Sequence, residues 1–282
     1  MPWFNKIFFV TCGHVPDFLN TNHPKLRIVK HEDYIPVEYL PTFNACTIEM
    51  NYHRINELSE NFILFNDDMF PLQPIDESYY FQNNQVCDEA VETPVMPVYV
   101  HKNDTNRRWG CHMELNDVAF INRHFKKREV QARNYDKWFC DEYGEFVLRN
   151  KSLMFCDDFC GFHNPHLQSS MKKSTLQHLW DLEPDTMDRA SKNKFRGTGD
   201  VNQWLVRYWQ ICEGNFMPRI TLGKSLQVSI DSAKNIADGI RKKKWQSISI
   251  NEYCTPEEFI KIKKIINSAF EEIFPKKSSF EL

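Results

Sequence analysis

The chain has 282 residues, enough for one large α/β domain with a substantial buried core. Hydrophobic residues make up 41% and charged residues 26% of the sequence, which excludes wholesale disorder. The formal net charge of -3 gives no electrostatic basis for binding nucleic acid, so we expect no nucleic-acid partner. No apolar run approaches the roughly 20 residues that span a bilayer, so we expect no transmembrane segment.

The cysteines and the first residues of the chain bear on its cellular location. Nine cysteines are an odd number, and the first ten residues lack the basic region and apolar stretch of a secretory signal. We therefore expect reduced thiols in a cytoplasmic protein. The basic run 241–244 ends at Trp245. Such a run is usually a solvated surface, but it also suits peripheral contact with anionic lipid at the inner face of the membrane.

Short apolar runs and helical periodicity alternate in the first third of the chain, which predicts an α/β layer. In chain order, the predicted elements are a strand over 7–10, a strand over 26–29, a helix over 45–58, a strand over 62–65, and helices over 167–180 and 202–211. A last helix is predicted from its start signals, with Thr255 as N-cap, Pro256 at the first helical position and Glu258 at the third. Pro275 ends it.

Asn66, Asp67 and Asp68 directly follow the apolar strand predicted over 62–65. Side chains at the carboxyl end of a strand in an open α/β sheet face the crevice where ligands bind. Carboxylate and amide oxygens there suit Mg²⁺ or Mn²⁺ bridged to a pyrophosphate. Asn and Asp are also favoured in turns, and the tripeptide taken alone favours a simple turn that ends the strand.

Glu49 and His53 lie four residues apart on one face of the helix predicted over 45–58, with Arg54 beside them. Such a group suits the orientation of a phosphate and an acceptor. In isolation it is more typical of a solvated helix face.

Two cysteines and two histidines, at Cys156, Cys160, His163 and His166, fall within eleven residues. A zinc site is one interpretation, but the spacing leaves no room for the element that usually separates two ligand pairs. In a second interpretation, His163 or His166 is a general base or a phosphate ligand, since histidine titrates near neutral pH. In the third, each is a loop histidine without a role.

Arg196 precedes two glycines and Asp200. A guanidinium suits bidentate contact with phosphate. The segment is not a P-loop, because the glycine spacing differs and no Lys-Ser/Thr follows.

In this order, the segments resemble the Stealth family, which includes bacterial capsular-polysaccharide phosphotransferases and the catalytic subunit of the lysosomal-enzyme N-acetylglucosamine-1-phosphotransferase. The resemblance covers nearly the whole chain, so we expect one catalytic domain over 1–282. The second conserved region is matched over about 38–72, by Leu40–Asn44, Ile48–Glu49, His53–Ile55 and Phe65–Phe70. The third is matched over about 160–210, by His163–His166 and Lys194–Arg196 with Asp200, and the fourth over about 246–282, by Ile248–Asn251 and Phe274–Glu281.

The resemblance implies transfer of a sugar-1-phosphate from a nucleotide-diphosphate sugar, expected to be UDP-linked, to a hydroxyl of an acceptor glycan. The setting is capsular or exopolysaccharide synthesis, and a nucleoside monophosphate is released. The implied fold is an α/β, glycosyltransferase-A-like (Rossmann-like) core with a helical insertion over 168–211. The implied catalytic residues are His163 as base, Arg196, Asp67 and Asp68, the two aspartates also binding Mg²⁺ or Mn²⁺. The implied substrate-binding residues are Glu49, His53, Arg54, Asn66, His166, Asp200 and Lys277.

The chain departs from the family pattern in two places. The first conserved region is not recognisable, so we expect a core without its first strand, and such a gap leaves a sheet edge that invites pairing. In the fourth region, Glu252 follows Asn251 where the family usually has Asp. Two other functions are therefore considered. One is a conventional metal-dependent glycosyltransferase, which releases a nucleoside diphosphate, and the other is a truncated, non-catalytic remnant that binds glycan or a partner subunit.

Overall fold

The computed structural model describes residues 2–96, 105–252 and 254–282, without the side chains of 105–108. Strands and helices are mixed along this part of the chain, which confirms the α/β class. The strands are β1 (Ile7–Thr11), β2 (Leu26–Lys30), β3 (Asn61–Leu64), β4 (Met69–Pro71), β5 (Phe81–Gln82), β6 (Gln85–Asp88), β7 (Ser169–Lys172), β8 (Phe216–Pro218), β9 (Gly223–Val228) and β10 (Ser247–Glu252). The helices are α1 (Ala45–Met50), α2 (Thr105–His124), α3 (Lys127–Arg133), α4 (Tyr135–Trp138), α5 (Val147–Ser152), α6 (Lys173–Leu182), α7 (Pro184–Ser191), α8 (Trp204–Glu213), α9 (Ala233–Arg241) and α10 (Pro256–Ile273).

The strands of the described residues form four small sheets rather than one continuous sheet. β1 and β2 pair in parallel, with Ile7 opposite Leu26. β3 and β7 pair antiparallel, with Phe62 opposite Met171. The other two sheets have three strands each, in the orders β4-β10-β9 and β5-β6-β8. The predicted strands over 7–10, 26–29 and 62–65 are confirmed as β1, β2 and β3.

The helix predicted over 45–58 is wrong in its length, because α1 ends at Met50 and a 3-10 turn follows over 52–54. The Asn51 side-chain amide donates to the Thr47 carbonyl at 2.8 Å and to Ser191 Oγ at 3.3 Å. An asparagine that bonds nearby groups in this way competes with the helical hydrogen bonds. The helix therefore stops early, and the residues after Met50 take a new direction.

The helix predicted over 167–180 begins too early, since Ser169–Lys172 is strand β7 and α6 starts at Lys173. The strand comes from pairing with β3, and its serines give little local β preference. The helix predicted over 202–211 is confirmed as α8. The last helix is confirmed as α10 with its predicted capping box, in which Thr255 Oγ1 accepts from the Glu258 N–H at 3.3 Å.

Buried apolar side chains fall into two clusters. The larger surrounds α2, α8 and the β3–β7 pair, and includes Phe120, Met171 and Leu205. The smaller packs α9 and α10 against β10, and includes Ile248 and Ile266. The turn after β3 connects the two clusters, because β4 pairs with β10. A cleft opens where the clusters meet.

Three structural findings concern the features on which the expected cellular location was based: apolar helices, the cysteines and the basic run 241–244. No helix in the described ranges is long and apolar enough to cross a membrane. All nine cysteines are free thiols. In the basic run, Arg241 is partly neutralised, because its guanidinium binds Glu272 at 2.8 and 3.0 Å and Asp238 at 3.1 Å.

Candidate functional site

A cleft of about 660 Å³ lies between the two apolar clusters. One wall is the turn after β3 with two loops of the larger cluster, and the other is the end of β10 with one face of α10. The polar residues that line the cleft are Asn66, Asp67, Asp68, His166, Arg196, Asn251, Glu252, Lys263 and Asn267. The structure thus brings five of the predicted site residues into one cavity.

The turn after β3 is both a strand-ending turn and a wall of the cleft. The Met69 N–H donates to the Asn66 carbonyl at 3.3 Å, which closes the turn. The Ile250 N–H donates to the Asp68 carbonyl at 2.9 Å, which ties the turn to β10. The tripeptide therefore forms the turn that ends the strand, and its residues also line the cavity.

Glu49 is buried behind this turn. The Asn66 side-chain N–H donates to Glu49 Oε1 at 3.1 Å. Burial raises the pKa of Glu49 to about 7, although the hydrogen bond from Asn66 and the charges of Arg196 and His166 oppose the rise. Because Asn66 turns its nitrogen toward Glu49, its Oδ1 is left buried without a hydrogen-bond partner.

His166 lies on the cleft wall with Nε2 3.0 Å from Asp68 Oδ2. The hydrogen bond to Asp68 raises the pKa of His166, while burial opposes the rise. His166 also has a φ of 47°, in the left-handed region that residues other than glycine seldom adopt. Such a conformation costs of the order of 1 kcal/mol and persists where its surroundings fix it. The pairing with Asp68 is one such constraint.

The oxygens of the turn fit a hard cation. Asn66 Oδ1 and Asp68 Oδ1 are buried without hydrogen-bond partners, and Asp67 is exposed beside them. In the described part of the chain, no three His, Cys, Asp or Glu side chains converge as in a closed metal site. The donor set therefore suits Mg²⁺ or Mn²⁺ that takes its other ligands from water and substrate phosphates, as Mg²⁺ commonly does.

The zinc site considered over 156–166 does not form among the described residues. His166 is paired with Asp68, and His163 is paired with Glu89. The two histidines are therefore paired with different carboxylates.

His163 is anchored by Glu89, with 2.5 Å between His163 Nδ1 and Glu89 Oε1. Burial of Glu89 favours its neutral acid, but the hydrogen bond and charge of His163, together with Arg207, outweigh burial and lower the pKa of Glu89. Sequence reasoning missed Glu89. The available signal was that Asp88 and Glu89, like Asp67 and Asp68, are adjacent carboxylates at the end of a strand.

A buried ion pair supports the segment between the two histidines. Arg207 on α8 donates to both oxygens of Asp88, at 2.8 and 2.6 Å. Arg207 also donates to Asn164 Oδ1 at 3.0 Å, and Asn164 donates to the Tyr208 hydroxyl at 2.5 Å. Helix α8 thereby fixes the chain that positions His163 on one side and His166 on the other.

Arg196 reaches the cleft from an irregular loop over 193–200. Its guanidinium is exposed, and its charge opposes protonation of both Glu49 and His166. Asp200, fully buried, holds this loop from behind. Asp200 accepts hydrogen bonds from the Asn44 amide at 3.0 Å, the Asn193 amide at 2.6 Å and the Gly197 N–H at 2.8 Å. The structure therefore places Asp200 behind the cleft wall.

Two exposed phenylalanines stack next to Arg196. The rings of Phe43 and Phe195 are nearly parallel, 5.2 Å apart at an angle of 10°, and are 70% and 67% exposed. The Phe43 N–H donates to the Lys194 carbonyl at 2.9 Å, which joins the two segments. The pair, called here the aromatic platform, presents flat apolar faces of the kind that pack against ring-shaped ligands.

His163 and five predicted substrate-binding residues lie outside the lining of the cleft: Glu49 and Asp200 lie behind its wall, and the other three are His53, Arg54 and Lys277. The buried His53 ring lies 5.8 Å from the Trp180 ring, and the Arg54 guanidinium lies over the same ring at 4.7 Å. Lys277 donates to the Leu282 carbonyl at 2.6 Å. The predicted contact of these three residues with substrate stays a prediction.

Lys263 and Asn267 on α10 line the opposite wall, four residues apart, and sequence reasoning missed both. The helix was predicted from its apolar face. The sequence does not distinguish a polar helix face that lines a cleft from one that faces bulk water. Asn251 and Glu252 complete this wall at the end of β10.

Known proteins are similar to the chain over nearly its whole length. Residues 1–88 match the family model described as Stealth protein CR2, conserved region 2. The chain is 41% identical over 281 residues to the capsular polysaccharide phosphotransferase WcwK of Streptococcus pneumoniae, covering 99% of this chain and 81% of that relative. It is 33% identical over 285 residues to the exopolysaccharide phosphotransferase cps2G of Lactiplantibacillus plantarum, covering 99% and 81%. It is 32% identical over 287 residues to the receptor polysaccharide phosphotransferase WefC of Streptococcus gordonii, covering 100% and 82%. The chain belongs to the Stealth family.

Proposed function

We propose that this protein transfers a sugar-1-phosphate from a nucleotide-diphosphate sugar to a hydroxyl of an acceptor glycan, in capsular or exopolysaccharide synthesis. A nucleoside monophosphate leaves. The observation that carries the proposal is the single cleft that contains Asp67, Asp68, His166 and Arg196. Phosphoryl transfer depends on positioning and on neutralising phosphate charge, and carboxylates for a cation beside two basic side chains meet that need. The relatives named as polysaccharide phosphotransferases support the same class of reaction.

The proposal extends to the fold, as a glycosyltransferase-A-like core. The parallel β1–β2 pair and the acidic turn at the end of β3 support it.

In this proposal, the donor pyrophosphate lies between the acidic turn and Arg196. Asp67, Asp68 and the free oxygen of Asn66 hold Mg²⁺ or Mn²⁺, which supplies charge neutralisation on the phosphates when bound. Arg196 and His166 bind the phosphate oxygens from the protein side. The raised pKa of His166 favours its cationic form. Cations fixed in advance, where charge builds up during transfer, stabilise the transition state.

His163 is the proposed base. Glu89 accepts the hydrogen bond from Nδ1–H, which leaves the lone pair on Nε2 to take the proton of the acceptor hydroxyl. The acceptor oxygen then bonds to the phosphorus that carries the sugar. The bond from that phosphorus to the bridging oxygen breaks, and the nucleoside monophosphate departs with the bridging oxygen.

The nucleotide that leaves distinguishes this reaction from conventional glycosyl transfer. We expect the purified chain, given UDP-sugars, tagged oligosaccharide acceptors and MgCl₂, to release UMP and form a product that contains phosphorus. Anion-exchange chromatography and mass spectrometry of the product measure both. Release of UDP with a phosphorus-free product would favour the glycosyltransferase instead. Failure to bind any nucleotide sugar in the presence of Mg²⁺ would favour the non-catalytic remnant.

The metal assignment has its own test in Asp67→Asn and Asp68→Asn. Each change removes a charge but little volume, so we expect transfer to fall by about 100-fold or more while the melting temperature stays nearly constant. UMP release measures activity, and circular dichroism measures the fold. Asp231→Asn, in an exposed turn outside the cleft lining, is the matched control. Full activity in both cleft variants would show that the metal assignment is wrong.

A further inference from the structure

A second groove, of about 780 Å³, runs between β1 and β3. All four residues of β3, 61–64, line it, and β1 contributes Ile7, Phe8 and Val10. Successive side chains of a strand point to opposite faces of a sheet. Because every residue of β3 lines the groove, the groove borders the edge of β3 and not one of its faces.

The hydrogen bonds of β1 show which backbone groups face the groove. The Ile7 N–H donates to the Lys25 carbonyl, on the side of β2. Bonding groups alternate along a strand, so Phe8 and Val10 direct their N–H and C=O groups to the opposite side. Phe8 and Val10 both line the groove.

β3 presents its free edge to the same groove. The Lys173 N–H donates to the Glu60 carbonyl, so the even-numbered residues of β3 bond toward β7. Asn61 and Ile63 direct their backbone groups away from β7 and line the groove. Within the described ranges, β1 pairs only with β2, and β3 pairs only with β7. The backbone N–H groups of Phe8, Val10, Asn61 and Ile63 are called here the groove-facing amides.

The groove has the size of one strand. Neighbouring strands lie about 4.8 Å apart, sheet layers are about 10 Å deep and each residue advances about 3.3 Å, so one inserted residue occupies about 160 Å³. A groove of about 780 Å³ therefore accommodates about five residues, the length of β1. Its lining is largely apolar and aromatic, with Trp3, Phe4, Phe65 and Phe81 among the residues.

We propose that this groove binds one extended, apolar polypeptide segment as a β-strand between β1 and β3. The inserted strand joins two sheets into one, in the order β2, β1, inserted strand, β3, β7. The proposed occupant is a segment of the kind that the relatives carry outside the match, which leaves about a fifth of their length uncovered. A second folded copy does not fit, since the slot has a strand on both sides and room for one more.

Occupation of the groove has a consequence for the cleft, because β3 leads directly into Asn66. An inserted strand fixes β3 from its free side and so restrains the turn that carries Asp67 and Asp68. The binding proposal itself does not depend on the reaction, since its test measures backbone protection and not transfer.

The experiment adds synthetic peptides to the full chain. The peptides tile the part of the Streptococcus pneumoniae relative that lies outside the 281-residue match. We expect one peptide to slow hydrogen exchange at the groove-facing amides by at least about tenfold, because exchange requires an open hydrogen bond. The amides of Ile7 and Phe62, already bonded to β2 and β7, keep their rates. Exchange is followed amide by amide with NMR.

Two controls separate strand insertion from loose apolar binding. A scrambled peptide of the same composition leaves all rates unchanged. The active peptide N-methylated at alternate residues loses the donors to one neighbouring strand, and we expect its affinity to fall at least about tenfold. The proposal is overturned if no peptide protects the groove-facing amides. It is also overturned if the chain alone protects them increasingly with its own concentration, which would identify a second copy as the occupant.

Discussion

Burial against Trp180 makes His53 a residue whose charge state affects folding. Burial, reinforced by the charge of Arg54, lowers the pKa of His53 to about 4. In the unfolded chain a histidine titrates near 6.5. Between pH 6.5 and about 4, the unfolded state therefore binds a proton that the folded state excludes, and the free energy of unfolding decreases as the pH falls.

We expect His53→Gln to remove roughly 3 kcal/mol of pH-dependent destabilisation between pH 6.5 and about 4, since one pKa unit corresponds to about 1.4 kcal/mol. Urea unfolding at several pH values in that window measures it. His178→Gln, at an exposed position on α6, is the control and keeps the wild-type pH dependence. An unchanged slope in the His53 variant would contradict the buried, neutral state.

At the residue scale, the place of a side chain in the cleft could be predicted only where its chemistry was the main determinant. Asp68 and Arg196 were identifiable because few other residues bind cations or phosphates as well. Glu49 and His53 were predicted to share a helix face, but α1 ends between them. Glu49 then lies behind Asn66, and His53 packs on Trp180.

At the scale of elements, the carboxylate of Asp200 fixes the conformation of the loop over 193–200. We expect Asp200→Ala to lower the free energy of unfolding by about 2–4 kcal/mol, because three donors lose their acceptor inside the protein. We also expect the KM for the donor to rise, because Arg196 is no longer held at the cleft. Urea unfolding and initial-rate kinetics measure the two effects.

The matched control is Asp238→Ala, since Asp238 bonds Arg241 at the surface. Surface pairs contribute about 0–1 kcal/mol, so we expect a small loss of stability and an unchanged KM. A normal donor KM in the Asp200 variant would mean that the loop keeps Arg196 in place without Asp200.

The aromatic platform gives a prediction about the acceptor. Packing of an aromatic face contributes about 0.5–1.5 kcal/mol, so we expect Phe195→Ala to raise the acceptor KM roughly 2- to 10-fold with kcat unchanged. Phe18→Ala, 63% exposed and outside the cleft lining, is the control. A rise in the donor KM instead would place the nucleotide on the platform.

Elements were predictable from sequence where their own residues favoured the structure. β1, β2 and β3 are apolar runs, and α10 has its cap and one apolar face. β7 was not predictable, because Ser169 and Ser170 become a strand only by pairing with Leu64 and Ile63, which lie about a hundred residues earlier.

At the scale of the whole molecule, the cleft has walls from both apolar clusters, so a ligand that contacts both walls stabilises the folded chain. We expect a UDP-sugar with MgCl₂ to raise the free energy of unfolding by about 2.7 kcal/mol at a concentration 100 times its Kd. Thermal unfolding with increasing ligand measures this. Lys263→Ala weakens the shift, whereas Lys261→Ala, exposed on α10 but outside the cleft lining, does not. If the ligand stabilised the two variants equally, α10 would not be part of the binding site.

Half of the cleft could be predicted from sequence. The wall with Asp67, Asp68, His166 and Arg196 consists of residue types whose chemistry points to phosphate or metal. The wall with Lys263 and Asn267 depends on how α9, α10 and β10 pack beside the turn after β3, and that arrangement leaves no local mark in the sequence.

The cleft draws its polar side chains from positions as far apart as Asn66 and Asn267. During synthesis, the amino-terminal parts of a chain leave the ribosome and fold first. The residues of the acidic turn are therefore made long before α10, but β10, which ties the turn in place, and the opposite wall of the cleft are not. In the proposed reaction, a nascent chain would therefore lack a complete donor site until almost all of it has been translated.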